Sequence, residues 1–153
     1  MIRRYRHTGM VVRDLRRSLA FYQEILGYTI WKRAVETGSF IEQVVGIPGV
    51  VLEWVKLKAP DGSLLELLEY HSHPDPETYP ELQPANRLGC SHIALTVADI
   101  DSLYRDLVAH HISCNSAPQM APDGTARILY CHDPDGIIIE LVEECPSQSG
   151  ELQ

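Results

Sequence analysis

The sequence predicts an α+β fold built from two tandem βαβββ modules, and three observations lead there. HTGMVVRDLRRSLAFYQEIL (7–26) aligns with HIALTVADIDSLYRDLVAHH (92–111) at a constant offset of 85, so that His7 matches His92, Asp14 matches Asp99 and Leu19 matches Tyr104. PDGSLLELLEY (60–70) aligns with PDGIIIELVEE (134–144) at an offset of 74, which matches Gly62 with Gly136 and Glu66 with Glu140. Each copy also opens with a β-forming run, MVV or IALTV, and passes into a segment with helical apolar spacing. A repeat of about half the chain is too long for a solenoid unit and fits a duplicated module.

In chain order, a strand is expected over 6–12. Asp14 then serves as N-cap of a helix whose Leu15, Leu19, Tyr22 and Leu26 share one face, and Gly27 is a natural stop. Strands come next near 28–35, 50–59 and 63–70. The two offsets differ by eleven residues, which places an insertion in ETGSFIEQVVGIPG (36–49), a short apolar segment among turn residues that suits a helical turn or a lid. SHPDPETYPELQPAN (72–86), with four prolines, reads as an irregular linker. The second copy repeats the order: a strand over 91–97, a helix capped by Asp99 with Ile100, Leu103 and Leu107 on one face, then strands near 112–117, 125–132 and 136–143. The organisation is one domain, 1–153, comprising module one (5–71), a linker (72–88), module two (89–144) and a C-terminal tail (145–153).

At 153 residues the chain can bury about two-thirds of its unfolded surface. It is 44% apolar and 22% charged, ordinary for a soluble protein, and its net charge of −8 argues against nucleic-acid binding. Arg3, Arg4, Arg6, Arg13, Arg16 and Arg17 therefore read as a solvated face. No apolar run approaches the ~20 residues of a membrane span, and there is no signal-peptide core, so a cytoplasmic location is expected. Cys90, Cys114, Cys131 and Cys145 form no C-x-x-C pair and are expected to be reduced, packing residues where they lie in strands. Cys131 beside His132 is a poor nucleophile–base pair, because neighbours on a strand point to opposite faces.

Strand alternation decides which side chains can meet. His7 shares a face with Gly9 and Val11, and His92 with Ala94 and Thr96, so small neighbours leave space in front of both imidazoles. Glu66 and Glu140 lie inside apolar strands, where an unpaired carboxylate costs several kcal/mol. Glu69 and Glu143, three residues on, must point the other way. Two neutral imidazoles and two carboxylates suit a divalent first-row metal, and octahedral geometry would leave two positions for water or a chelating substrate. His7, Glu66, His92 and Glu140 are therefore the candidate metal ligands. Tyr130 and His132 share a strand face and are candidates for acid/base groups behind them. His71 and His73 read as exposed loop residues, and His110 and His111 as partners of the last carbonyls of the second helix.

The βαβββ repeat, the stretch HTGMVVRDLRRSLAFYQEILGY and both PDG-x-x-x-EL motifs resemble the vicinal oxygen chelate superfamily over nearly all of residues 5–144. It contains type I glyoxalases, methylmalonyl-CoA epimerases, extradiol dioxygenases, and bleomycin- and fosfomycin-resistance proteins. The resemblance implies an open, mostly antiparallel, eight-stranded barrel-like sheet with helices outside, often in a homodimer. It also carries the family's four metal positions onto His7, Glu66, His92 and Glu140.

A divalent metal (nickel, cobalt, zinc or manganese) that chelates two substrate oxygens can stabilise an enediolate as an α-proton leaves. Glu140 and Glu66 could move that proton as general base and acid. The expected activity is a metal-dependent lyase or isomerase, glyoxalase-like or methylmalonyl-CoA-epimerase-like. Its substrate would be a small molecule with vicinal oxygens, such as a glutathione or coenzyme A thioester. Lys32, Arg33, Lys56, Lys58, Arg87 and Arg127 are candidate contacts for its acidic groups. One alternative is a non-haem iron extradiol-type dioxygenase, against which the fourth ligand Glu66 weighs. Another is a metal-free, drug-binding resistance protein of the same fold.

Overall fold

The computed structural model describes residues 2–76, 82 and 84–145; linker residues 77–81 and 83 and tail residues 146–153 lie outside the described residues. The first copy opens with β1 (Thr8–Val11). α1 (Leu15–Ala20) forms next because the Asp14 carboxylate accepts the Arg17 N–H at 3.0 Å, satisfying one of the free donors of the first turn. The helix widens into a π-helical turn at Phe21–Ile25 and stops at Gly27, whose φ of 75° suits a residue without a Cβ. β2 (Thr29–Glu36), α2 (Ser39–Val45), β3 (Leu52–Lys58) and β4 (Leu64–Tyr70) complete the copy. The 36–49 insertion is thus a helix, seated through Ile41 on Val50 and Leu52.

The second copy contains β5 (His92–Thr96), α3 (Ile100–Ala109), β6 (Gln119–Met120), β7 (Ala126–His132) and β8 (Ile138–Glu144). Asp99 caps α3 by accepting the Ser102 N–H at 2.8 Å. The strand expected over 112–117 does not form. Its place is taken by an isolated bridge between Cys114 and Cys131 and by the two residues of β6. Pro118 has no N–H to give a ladder, and the side chains of Ser116 and Gln119 both donate to the Ala117 carbonyl, so local bonds replace strand pairing there.

The chain divides into two compact units, Met1–Thr78 and Tyr79–Gln153. Each holds one four-stranded sheet, ordered β1-β4-β3-β2 in the first and β5-β8-β7-β6 in the second. In each, the first strand pairs in parallel with the last, and the other pairings are antiparallel. The PDG motifs make the hairpin turns before β4 and β8, with Gly62 N–H donating to Ala59 O and Gly136 N–H to Asp133 O. Strand alternation sends Leu65 and Leu67 of β4 into the first core with Leu15, Tyr22, Val55 and Leu57, and Ile139 and Leu141 of β8 into the second with Ile100, Leu107 and Leu129. Each such side chain contributes about 1.5–3 kcal/mol on burial. The opposite face is left to the glutamates. No helix among the described residues is long and apolar enough to cross a membrane.

Candidate functional site

The parallel pairing of first and last strand builds the same contact twice. Gly9 stands opposite Glu66, and His7, two residues earlier, shares its face. His7 Nε2 lies 3.0 Å from Glu66 Oε2. In the second unit Ala94 stands opposite Glu140, and His92 Nε2 lies 3.0 Å from Glu140 Oε2. All four side chains are mostly but not fully buried. A methyl at position 9 would sit 3.9 Å from Glu66 Oε2, so Gly9 leaves that side of the carboxylate open.

The donors suit a divalent ion in chemistry. His92 Nδ1 is held by Ser91 Oγ at 2.8 Å, which fixes the ring and aims Nε2 at Glu140, as outer-shell partners do for metal-ligating histidines. His7 Nδ1 is buried and has no hydrogen-bond partner among the described residues. Among the described residues no three His, Cys, Asp or Glu side chains form one metal-holding group; the arrangement is a His–Glu pair in each unit.

The neighbours of the two pairs differ. Lys56 of β3 is the cross-strand partner of Glu66, and its Nζ lies 3.3 Å from Glu66 Oε1 and 4.7 Å from the centre of the Trp54 ring. Tyr130 of β7 is the cross-strand partner of Glu140, with its ring centre 5.2 Å from that of His92. Burial, reinforced by the Glu140 charge, raises the Tyr130 phenol above its ordinary pKa and keeps it a proton donor. The residue numbers carried this correspondence, since Lys56 and Tyr130 are related by the same offset of 74 as the two glutamates.

Several other expected residues take structural roles. His132 is buried with one ring nitrogen on Gly136 O at 3.2 Å and the other on Asn115 Oδ1 at 2.9 Å, so it braces the last hairpin turn. Glu69 accepts the Leu15 N–H at 2.8 Å at the start of α1, and Glu143 pairs with Arg127 at 3.6 Å, both away from the His–Glu pairs. His71 is an exposed residue just past β4, as expected, and from there it bridges Glu53 at 2.8 Å and Glu69 at 3.1 Å. His110 Nδ1 bonds the Asp106 carbonyl, as its place at the helix end suggests. Arg33 is engaged by Glu53 and Arg127 by Asp101, whereas Lys56 stands beside the His7–Glu66 pair. The four cysteines are free thiols, and burial pushes Cys131 up to about 12, which removes it as a nucleophile.

Comparison with known proteins agrees with this architecture. The family model of the Glyoxalase/Bleomycin resistance protein/Dioxygenase superfamily matches residues 4–141. The uncharacterized protein YaeR of Escherichia coli is 26% identical over 94% of this chain and 98% of its own. A glyoxalase family protein from Bacillus cereus superposes with a TM-score of 0.85 at 27% identity, covering 94% of this chain and 95% of that one. The trypanothione-dependent glyoxalase I of Leishmania major superposes with a TM-score of 0.62 at 26% identity, over 94% of this chain and 88% of that one. With two βαβββ units and a His–Glu pair repeated in each, this chain belongs to the glyoxalase/bleomycin resistance protein/dioxygenase superfamily.

Proposed function

We propose that His7, Glu66, His92 and Glu140 ligate one divalent metal, and that the protein is an isomerase or lyase working by proton transfer next to a chelated carbonyl. The observation that carries this reading is the repetition, in both units, of a His Nε2–Glu Oε2 contact at 3.0 Å. Nickel, cobalt, zinc or manganese, when bound, would polarise substrate oxygens and acidify the adjacent C–H. Glu140, behind the oriented imidazole of His92, takes the α-proton on a carboxylate oxygen and returns it as the acid. Glu66 is the second carboxylate ligand, and the Lys56 ammonium compensates its charge at 3.3 Å. Tyr130, kept protonated, donates toward charge that develops near Glu140. The substrate class is a molecule with vicinal oxygens, such as a glutathione or coenzyme A thioester, handled by a cytoplasmic homodimer.

The test begins with elemental analysis of untagged protein prepared without oxygen or chelators. About one ion of the four named per chain is expected, with solvent exchange of the α-proton of a chelating hydroxy- or oxo-thioester. Glu140→Gln should slow that exchange by about 10²–10⁴-fold. Iron in place of these ions would favour the dioxygenase, and no uptake on reconstitution would remove the metal.

One observation favours a second reading. Lys56 already compensates Glu66 at 3.3 Å, as expected of a metal-free, small-molecule-binding member of the same fold. Failure of all four metals to bind would leave that reading in possession.

A further inference from the structure

We propose that the first unit carries an oxyanion pocket beside His7, which selects substrates bearing a phosphate or carboxylate on a small, flat body. The proposal rests on the reading of His7 and Glu66 as part of the reacting site, and it adds the substrate's charge and shape.

A cavity of about 340 Å³ opens beside His7, at the small end of ligand pockets, which span roughly 300–1,000 Å³. Arg4, Arg6 and Lys56 line it, with the rings of Tyr5 and Trp31 and the Gly62–Ser63 turn. No Asp or Glu is in that lining. Three cations line one cavity, Lys56 already paired with Glu66 behind it, and they stand out in a chain of net charge −8. Among the described residues neither Arg4 nor Arg6 has an ion-pair partner, whereas Arg33 and Arg127 are both engaged by acids. Free guanidinium groups can chelate a planar or tetrahedral oxyanion through paired N–H bonds, which a lysine offers only as a point charge.

Trp31 reaches this cavity through a local irregularity. The pairing of β2 with β3 runs Ile30 to Leu57 and then Lys32 to Lys56, so Trp31 is the extra residue of a β-bulge. A bulge re-aims the side chain it carries. Here it brings a large ring to the cavity that Lys56 also lines, where a flat substrate body can lie against indole. The cavity also contains His7, so an anion held by the arginines would place its remaining atoms within reach of the His7–Glu66 pair.

The probes are phenyl phosphate and benzoate, with benzyl alcohol as their neutral counterpart, titrated into the full chain and monitored by calorimetry and by the Trp31 indole N–H resonance. At least one anion should bind and shift Trp31, and benzyl alcohol should not; the tighter anion tells phosphate from carboxylate. Arg4→Gln/Arg6→Gln should weaken the preferred anion by about tenfold or more. Arg16→Gln/Arg105→Gln, with the same change of net charge elsewhere, should leave it within about twofold, the effect of screened long-range charge. Both arginines of the test variant are exposed, so its thermal midpoint should match the native protein. Equal binding of benzyl alcohol, no shift of Trp31, or equal weakening by the control pair would each overturn the proposal. Cobalt titration of the same samples separates it from the metal reading. Cobalt uptake without anion binding sinks the pocket alone, and Arg-dependent anion binding without cobalt uptake supports the pocket while removing the metal.

Discussion

Lys56→Gln tests the metal and the pocket with effects of opposite sign. Lys56 Nζ lies 3.3 Å from Glu66 Oε1, and the two side chains are only 16% and 13% exposed. At an effective dielectric of about 20, that separation corresponds to about 5 kcal/mol of gross attraction. Desolvation and the ordering of the lysine chain offset most of it, leaving about 1 kcal/mol for a pair that still touches solvent. A divalent ion recruiting Glu66 must displace or weaken that contact. Removing the ammonium should therefore raise cobalt affinity by about fivefold, the equivalent of ~1 kcal/mol. The same change deletes one of the three cations of the pocket, so phenyl phosphate or benzoate should bind several-fold more weakly. Lys56→Arg, which keeps the charge, should restore anion binding and leave cobalt near its native affinity. Calorimetric titrations of cobalt and of each anion, run on native protein and both variants at matched pH and salt, provide the comparison. Unchanged or weaker cobalt binding in Lys56→Gln would refute the competition, and with it the assignment of Glu66 as a ligand.

Other consequences concern the frame around the site. Glu69→Gln should lower stability by about 0.3–1 kcal/mol in urea melts, because the carboxylate that meets the Leu15 N–H at the start of α1 loses its charge. Metal stoichiometry should be untouched, and loss of metal there would mean that the wrong glutamate has been assigned. Glu53 is held below the ordinary carboxylate range first by its hydrogen bond from His71 and then by Arg33, against the opposing effect of burial. A lowered folded-state pKa gives stability that is present above the unfolded value of about 4.5 and is lost as pH falls through the folded value. The stability gap between native protein and Glu53→Gln should accordingly be open at pH 6 and close progressively below about pH 4.5; a gap independent of pH would contradict the linkage. At pH 8 a maleimide should label exposed Cys90 in the folded protein and reach Cys131 only on unfolding, which peptide mass spectrometry resolves.

Features that repeat, and features governed by a local rule, were legible in the sequence. His7 with Glu66 and His92 with Glu140 were accessible because period-two alternation and parallel pairing place a residue and its counterpart two positions on upon one face. Asp14 and Asp99 announced their helices through capping chemistry that operates within three residues. Tertiary pairing was less accessible. The repeat of the first copy's order predicts a strand at 112–117, yet Pro118 and the bonds to Ala117 dissolve it. His132 shares a strand with Tyr130, but its fate was settled by Asn115, a partner seventeen residues away that strand periodicity cannot show. Arg4 and Arg6 line the cavity although composition points to a solvated face, because composition alone does not tell a solvated arginine from one at a cavity mouth. The bulge at Trp31 is a property of the register between β2 and β3 and leaves no mark in β2 alone.

The divergence at positions 56 and 130 says more about function than the repeat does. The two copies keep the same His–Glu contact to within the same 3.0 Å, while the residue across the strand from each glutamate is an ammonium in one and a phenol in the other. If the contacts served only to satisfy carboxylates facing away from the cores, both copies could use the same partner. A lysine brings a full positive charge, whereas a tyrosine with a raised pKa offers a hydrogen bond without charge. Beside Glu66 the cation suits the anionic end of a substrate, and beside Glu140 stands a neutral donor. On the proposed function, the asymmetry suits the first copy to binding and the second to proton transfer. It implies that Tyr130→Phe should slow α-proton exchange more than it weakens anion binding, the reverse of Lys56→Gln. Equal effects of the two substitutions on both measurements would mean that the copies share both tasks.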